Sequence, residues 1–99
     1  MKNYDNIYFM GIGGIGMSAL ARYFMHEGKA VAGYDRTPTP LTAALEKEGA
    51  TVCYEDGVEN IPAAFRDNNT TMVVFTPAVP SDHPQMEFFR QNGFLMEKR

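Results

Sequence analysis

Short apolar runs alternate with stretches of helical periodicity along the chain. Five runs rich in β-forming residues predict strands, at residues 7–10, 30–35, 51–54, 72–75 and 94–96, and the first of them is predicted to be buried. The spacing of one helix face follows the first run, at Met17, Leu20, Ala21 and Phe24. Gly28 comes next and is placed to end that helix. The beginning of the chain therefore predicts a strand, a glycine-rich turn and a helix.

Three further helices are predicted between the later strands. One covers residues 41–48, after a turn that contains two prolines. A short helix is predicted within the polar segment 55–69, with Ile61 and Phe65 as its apolar contacts. The last begins near Asp82, which can cap it while Gln85 completes a capping box, and runs to about residue 92. The whole pattern is a regular alternation of strands and helices.

This alternation predicts the fold class. A chain of 99 residues suits one domain, and five strands joined through helices by short loops indicate a parallel sheet. Right-handed crossovers then favour a Rossmann-like, doubly wound α/β fold with strand order 3-2-1-4-5 and helices on both faces.

Charge and composition narrow the range of functions. The net charge of −3 argues against an electrostatic nucleic-acid-binding surface. No apolar run reaches bilayer-spanning length, and the polar residues 1–6 lead into a strand rather than a signal peptide. The single cysteine, Cys53, forms neither an internal disulfide nor a metal cluster alone, and His26 and His83 lack partners at metal-ligand spacing. We expect a cytoplasmic protein without a membrane, nucleic-acid or metal partner.

The strongest chemical signal is the glycine loop between the first strand and the first helix. It reads Gly11-x-Gly13-x-x-Gly16, and Asp35 ends the second strand 19 positions later. In a dinucleotide-binding turn the first glycine permits the tight turn, the second lets a pyrophosphate approach, and the third lets helix and strand pack closely. The helix N-terminus adds free N–H groups and a partial positive charge. Asp35 is then a ribose ligand, or else a solvated turn carboxylate or helix cap.

A second loop, residues 76–80, follows the fourth strand. The predicted topology puts this loop beside the glycine loop at the carboxyl edge of the sheet, where ligands of such folds bind. Two prolines stiffen it, so it is either a cleft wall or a rigid connector. His83, just beyond, is predicted on the surface of the first helical turn, where a ligand contact stays open. No nucleophile–base–orienter set is visible, so the chain predicts a binding site and no catalytic residue.

Several segments carry a more specific resemblance. Residues 8–21, including the run Gly-Gly-Ile-Gly-Met-Ser-Ala-Leu-Ala, together with residues 33–38, 48–50 and 74–79, resemble the opening of the Mur ligase family. The likeness is strongest to the members that add L-alanine to UDP-N-acetylmuramate in peptidoglycan synthesis. It covers essentially the whole chain, which corresponds to the first of three domains. The resemblance therefore implies an excised or truncated N-terminal domain.

The resemblance also implies a ligand. In the family this domain binds the UDP part of UDP-N-acetylmuramate, so the glycine loop meets the diphosphate and Asp35, with Thr37, lies near the ribose or uracil. The implied substrate-binding residues are Gly11, Gly13, Gly14, Ile15, Gly16, Met17, Asp35, Thr37, Thr76, Pro77, Ala78 and Val79. No cofactor is expected in this domain. ATP and magnesium belong to the missing ATPase and C-terminal domains, so the isolated chain is expected to be inactive as a ligase.

Three alternatives stay open from the sequence. A muropeptide-recycling ligase of the same family shares the pattern of this first domain. An NAD(P)-dependent oxidoreductase fragment would use the same loop and Asp35, with Arg36 beside a 2′-phosphate. A regulatory domain that senses a nucleotide without catalysis is the third.

Overall fold

The computed structural model describes residues 3–99, so the predicted polar start of the chain lies partly outside the described residues. The strands and helices are β1 (Asn6–Met10), α1 (Ile15–His26), β2 (Ala30–Tyr34), α2 (Pro40–Lys47), β3 (Thr51–Cys53), β4 (Thr71–Phe75), α3 (Pro84–Gln91) and β5 (Leu95–Lys98). Two 3₁₀ turns, Val58–Asn60 and Ala63–Phe65, lie between β3 and β4. Within residues 3–99 no helix is long and apolar enough to cross a membrane.

The five strands form one parallel sheet in the order β3-β2-β1-β4-β5, which confirms the predicted topology. The central strand β1 is paired on both sides, and its last residue, Met10, stands opposite Tyr34 of β2 and Phe75 of β4. The carboxyl ends of these three strands therefore meet at one edge. The loops that follow them, at residues 11–14, 35–39 and 76–83, gather there.

The sheet is buried on both faces because its side chains feed two separate cores. Tyr8 and Met10 of β1 pack on one face with Met86 and Phe89 of α3. Their strand neighbours Ile7 and Phe9 point to the other face, into a core that also contains side chains of α1 and α2. Helices thus cover both faces, as predicted for a doubly wound sheet.

Local sequence explains most helix boundaries. Thr39 and Thr42 form a reciprocal capping box at the start of α2, and Pro40 occupies its first turn. The three α-helices are followed at a short distance by glycines in the left-handed region, Gly28, Gly49 and Gly93. His26 lies in the last turn of α1, where a basic side chain suits the negative end of the helix dipole.

The predicted short helix between β3 and β4 is wrong. Two 3₁₀ turns stand in its place because Pro62 follows Ile61 and biases that residue to an extended conformation, with ψ of 122°. Ile61 and Phe65 are nevertheless buried, as predicted. The side chain of Arg66 donates to the carbonyl groups of Val58 and Ile61. The Val58 carbonyl also accepts the N–H of Ile61 within the first 3₁₀ turn.

The predicted cap of the last helix is also wrong. His83, not Asp82, is the N-cap of α3, and its Nδ1 accepts from the backbone N–H of Gln85 at 3.1 Å. The Gln85 side chain does not complete a capping box because it is fully buried and used elsewhere. It accepts from the Tyr8 hydroxyl at 2.7 Å and donates to the carbonyl of Gly57 at 2.9 Å. Gln85 therefore ties β1, the loop after β3 and α3 together.

Candidate functional site

A cleft of about 730 Å³ lies at the carboxyl edge of the sheet. One wall is the glycine loop with the first turn of α1, and the other is the loop after β4. The cleft is lined by Gly11, Gly13, Gly14, Ile15, Gly16, Met17, Tyr34, Asp35, Arg36, Thr76, Ala78, Val79, Pro80, His83 and Arg99. All of the predicted site residues line this cleft except Thr37 and Pro77.

Gly11 makes the tight turn that the sequence predicts. Its φ is +96°, in the left-handed region. Its N–H and that of Ile12 both donate to the carbonyl of Tyr34, at 2.8 and 3.0 Å, which fastens the loop to β2. A Cβ atom at position 11 would lie 2.6 Å from Cγ2 of Thr76. Only glycine therefore lets the two loops that form the cleft approach so closely.

Asp35 holds the glycine loop in place. One carboxylate oxygen, Oδ2, accepts from the N–H of Gly13 at 2.7 Å, and Oδ1 accepts from the N–H of Thr37 at 3.1 Å. A Cβ at position 13 would lie 2.7 Å from Oδ2 and 3.0 Å from Cγ2 of Thr42. The structure thus explains why residue 13 is a glycine: a side chain there would collide with Asp35 and with α2. The Asp35 carboxylate stabilises the turn at Thr37 by accepting its N–H. The residue that caps α2 is Thr39, not Asp35.

The start of α1 is positively polarised. Ser18 is the first residue whose N–H bonds back, to Gly14 at 2.7 Å, so the N–H groups just before it have no partner within the helix. The first turn contains no acidic residue. The cation Arg99 is brought beside it, because the N–H of Arg99 donates to the carbonyl of Phe75 at 2.8 Å. This wall is therefore suited to an anion.

The reason predicted for Gly16 is wrong. Its missing side chain is not required for helix–strand packing, because a Cβ there would meet only the guanidinium of Arg99, at 3.7 Å. Gly16 is exposed and faces the cleft. Arg99 was not among the predicted residues, since nothing in the sequence around it marks it as a neighbour of α1.

The opposite wall is a turn after β4. The N–H of Val79 donates to the carbonyl of Thr76 at 3.0 Å, and that of Ala78 donates weakly to the Thr76 hydroxyl at 3.4 Å. These bonds fix the shape of the turn. Pro77 is exposed and does not face the cleft.

Tyr34 and His83 are cleft residues that the sequence did not single out correctly. His83 is only 9% exposed, which contradicts its predicted surface position. Its ring centroid lies 4.5 Å from that of Tyr34. Burial lowers the pKa of His83, and Asp56 and Asp82 oppose that shift. The sequence did offer one clue to the role of His83: it stands two residues before Gln85, where its side chain can accept from the Gln85 N–H and cap α3.

The backbone N–H groups at the start of α1 and the arginine side chains nearby make the cleft suited to a polar, anionic molecule. Within the described part of the chain, no three His, Cys, Asp or Glu side chains are grouped for a metal ion. The ion pair between Arg22 and Glu48 lies outside the cleft. Arg36 and Arg99 supply positive charge to the cleft wall, which also carries the carboxylate of Asp35.

Comparison with known proteins decides the family. A family model described as "Mur ligase family, catalytic domain" matches residues 6–99. The chain belongs to the Mur ligase family. This confirms the resemblance carried by the glycine loop and by residues 74–79.

Individual relatives support the same assignment. Over its whole length the chain is 57% identical to UDP-N-acetylmuramate–L-alanine ligase from Phocaeicola vulgatus, of which it covers 22%. It matches the crystal structure of UDP-N-acetylmuramate–alanine ligase from Thermotoga maritima with a TM-score of 0.83 and 34% identity, over 95% of this chain and 20% of that one. The chain thus spans about a fifth of the length of these Mur ligases.

A further solved structure shares the fold. It is UDP-N-acetylmuramate:L-alanyl-γ-D-glutamyl-meso-diaminopimelate ligase from Neisseria meningitides, with a TM-score of 0.81 over 97% of this chain and 29% of that one. At 22% identity the likeness shows the fold alone.

Proposed function

We propose that this chain is the UDP-binding domain of a UDP-N-acetylmuramate–L-alanine ligase, and that the cleft holds the UDP part of that substrate. The observation that carries the proposal is the wall formed by the first turn of α1 and Arg99. It combines unpaired backbone N–H groups, no acidic side chain and a guanidinium beside Gly16. A diphosphate supplies the negative charge that such a wall favours. The names of the relatives supply the identity of the nucleotide.

The diphosphate is assigned to the loop of Gly13, Gly14, Ile15 and Gly16. The N–H of Gly13 is already donated to Asp35, so Gly13 contributes the shape of the loop. The N–H groups at the start of α1 are the donors to the phosphate oxygens. Arg99 completes the anion site from the side of β5.

The ribose is assigned to Asp35. Each of its carboxylate oxygens accepts one backbone N–H and retains a lone pair for a hydroxyl. Thr76, Ala78 and Val79 enclose the nucleotide from the opposite wall. Thr37 acts through its backbone, which orients Asp35.

The chemistry itself belongs to other parts of the ligase. ATP with magnesium would phosphorylate the muramoyl carboxylate, and the amine of L-alanine would attack the acyl phosphate. None of the residues described here performs these steps, so the chain binds substrate and presents it to the ATPase and C-terminal domains. Because UDP-sugars and ATP are cytoplasmic metabolites, we propose that the enzyme acts in the cytoplasm.

A side-by-side calorimetric titration with UDP-N-acetylmuramate, UDP and NADH tests the proposal. We expect both UDP ligands to bind saturably and NADH to be silent, because the cleft selects a uridine diphosphate. Binding of NADH without UDP would contradict the proposal and favour the oxidoreductase interpretation. Addition of ATP and L-alanine to the UDP-N-acetylmuramate complex should release no phosphate, and turnover would show that the chain is not a binding domain alone.

A further inference from the structure

The cleft contains one buried donor that has no partner. His83 is 9% exposed, and its Nδ1 accepts from the N–H of Gln85 at 3.1 Å. An imidazole nitrogen that accepts is not protonated, so the proton of the neutral ring is on Nε2. This Nε2 is buried and makes no hydrogen bond in the structure. A buried donor without a partner destabilises the protein, which is a reason to look for a ligand.

The surroundings of His83 differ from those of the anion site. Tyr34, whose ring centroid is 4.5 Å away, and Pro80 line the same part of the cleft and are uncharged. Tyr34 belongs to the core on the α3 face of the sheet, whereas Met17 of α1 belongs to the core on the other face. The cleft therefore has a cationic side at α1 and an aromatic side at α3. A nucleoside diphosphate has the same two ends, a charged one and a planar one.

We propose that the Nε2–H of His83 donates a hydrogen bond to a carbonyl oxygen of the uracil base. This inference rests on the proposed function and names the residue that reads the base. Uracil carries two strong carbonyl acceptors on its ring, and its flat faces suit the aromatic ring of Tyr34. The base thereby satisfies the donor that the protein leaves unpaired.

Access to Nε2 requires a side chain to move. The nitrogen has almost no solvent-accessible area, and Tyr34 is the neighbouring ring on the cleft wall. The cap of α3 is unaffected, because Nδ1 and the N–H of Gln85 keep their bond.

His83→Asn separates the two roles of this side chain. Asparagine is a good N-cap, so its oxygen can accept from Gln85 as Nδ1 does, but it is too short to replace Nε2–H. We expect the melting temperature to be retained, the affinity for UDP to fall roughly tenfold, and the affinity for inorganic pyrophosphate to be unchanged. NMR titrations of the unchanged chain and of the variant, with UDP and with pyrophosphate, measure these affinities.

Each outcome of these titrations is decisive. Equal affinity of both proteins for UDP would overturn the role of His83 and leave the proposed function standing. An equal loss for UDP and pyrophosphate would show that His83 acts only through the loop and α3. Failure of the unchanged chain to bind UDP would contradict the proposed function as well. In the complex the Nε2 proton should shift downfield, whereas an unshifted signal would argue against the bond.

Discussion

Gly13→Val is expected to weaken UDP binding roughly a hundredfold while the domain stays folded. Any Cβ at position 13 lies 2.7 Å from Oδ2 of Asp35, the atom that accepts from the N–H of residue 13. The carboxylate must therefore leave, and the loop loses a charge-assisted hydrogen bond. Such bonds contribute about 1.5–3 kcal/mol, which corresponds to a tenfold to hundredfold change in affinity. Asp35 lies in the loop after β2, and Thr42, although buried in the first turn of α2, is not part of either hydrophobic core, so we expect the fold to persist.

Calorimetry with UDP and circular dichroism together measure this prediction. Ala43→Val is a matched control, since it adds a β-branched side chain to the exposed part of α2, outside the cleft. It should leave the affinity for UDP unchanged. If Gly13→Val binds UDP as tightly as the unchanged chain, the glycine loop does not form the site.

Gly33→Ala is expected to have the largest effect on stability. Gly33 is buried in β2 opposite Phe9 of β1, and an added Cβ would lie 2.5 Å from the Phe9 carbonyl oxygen and 3.0 Å from the side chain of Ile12. The carbonyl is part of the central strand and cannot move without breaking the sheet. Overpacking of this kind costs about 1–3 kcal/mol or more. We expect a value near 3 kcal/mol and a melting temperature lower by more than about 10 °C.

Thermal and denaturant unfolding measure the effect. Gly16→Ala makes the same chemical change in the first turn of α1, where the nearest atom would be Nε of Arg99 at 3.7 Å. It should leave stability unchanged or raise it slightly, because alanine favours helix more than glycine does. Similar losses in the two variants would show that the contact with Phe9 is not the cause.

The fold was predictable because strand-like and helix-like patterns alternate through most of the chain. Each buried strand is a short apolar run, and the helix faces recur at their own spacing, so the order 3-2-1-4-5 follows from general rules of handedness. The segment 55–69 escaped prediction because Pro62 divides it into two short 3₁₀ turns, which the side chain of Arg66 joins through the carbonyl groups of Val58 and Ile61.

The site was predictable where it depends on local sequence and not where it depends on distant contacts. The glycine loop, Asp35 and the loop after β4 each stand directly after a strand, so their convergence follows from the topology. Arg99 reaches the cleft from the far end of the chain, and the burial of His83 depends on its packing against Tyr34. Neither contact leaves a mark in the local pattern.

The most direct test of the central claim is a ¹⁵N–¹H NMR titration of this chain with UDP-N-acetylmuramate. We expect saturable shifts at the amides of Gly14, Ile15 and Gly16 on one wall and of Ala78 and Val79 on the other. The amides around the second, smaller groove beside Arg22, Met25, His26 and Glu48 should not move. Saturable shifts at that groove with none at the glycine loop, or no saturable shifts at all, would contradict binding of UDP in the cleft.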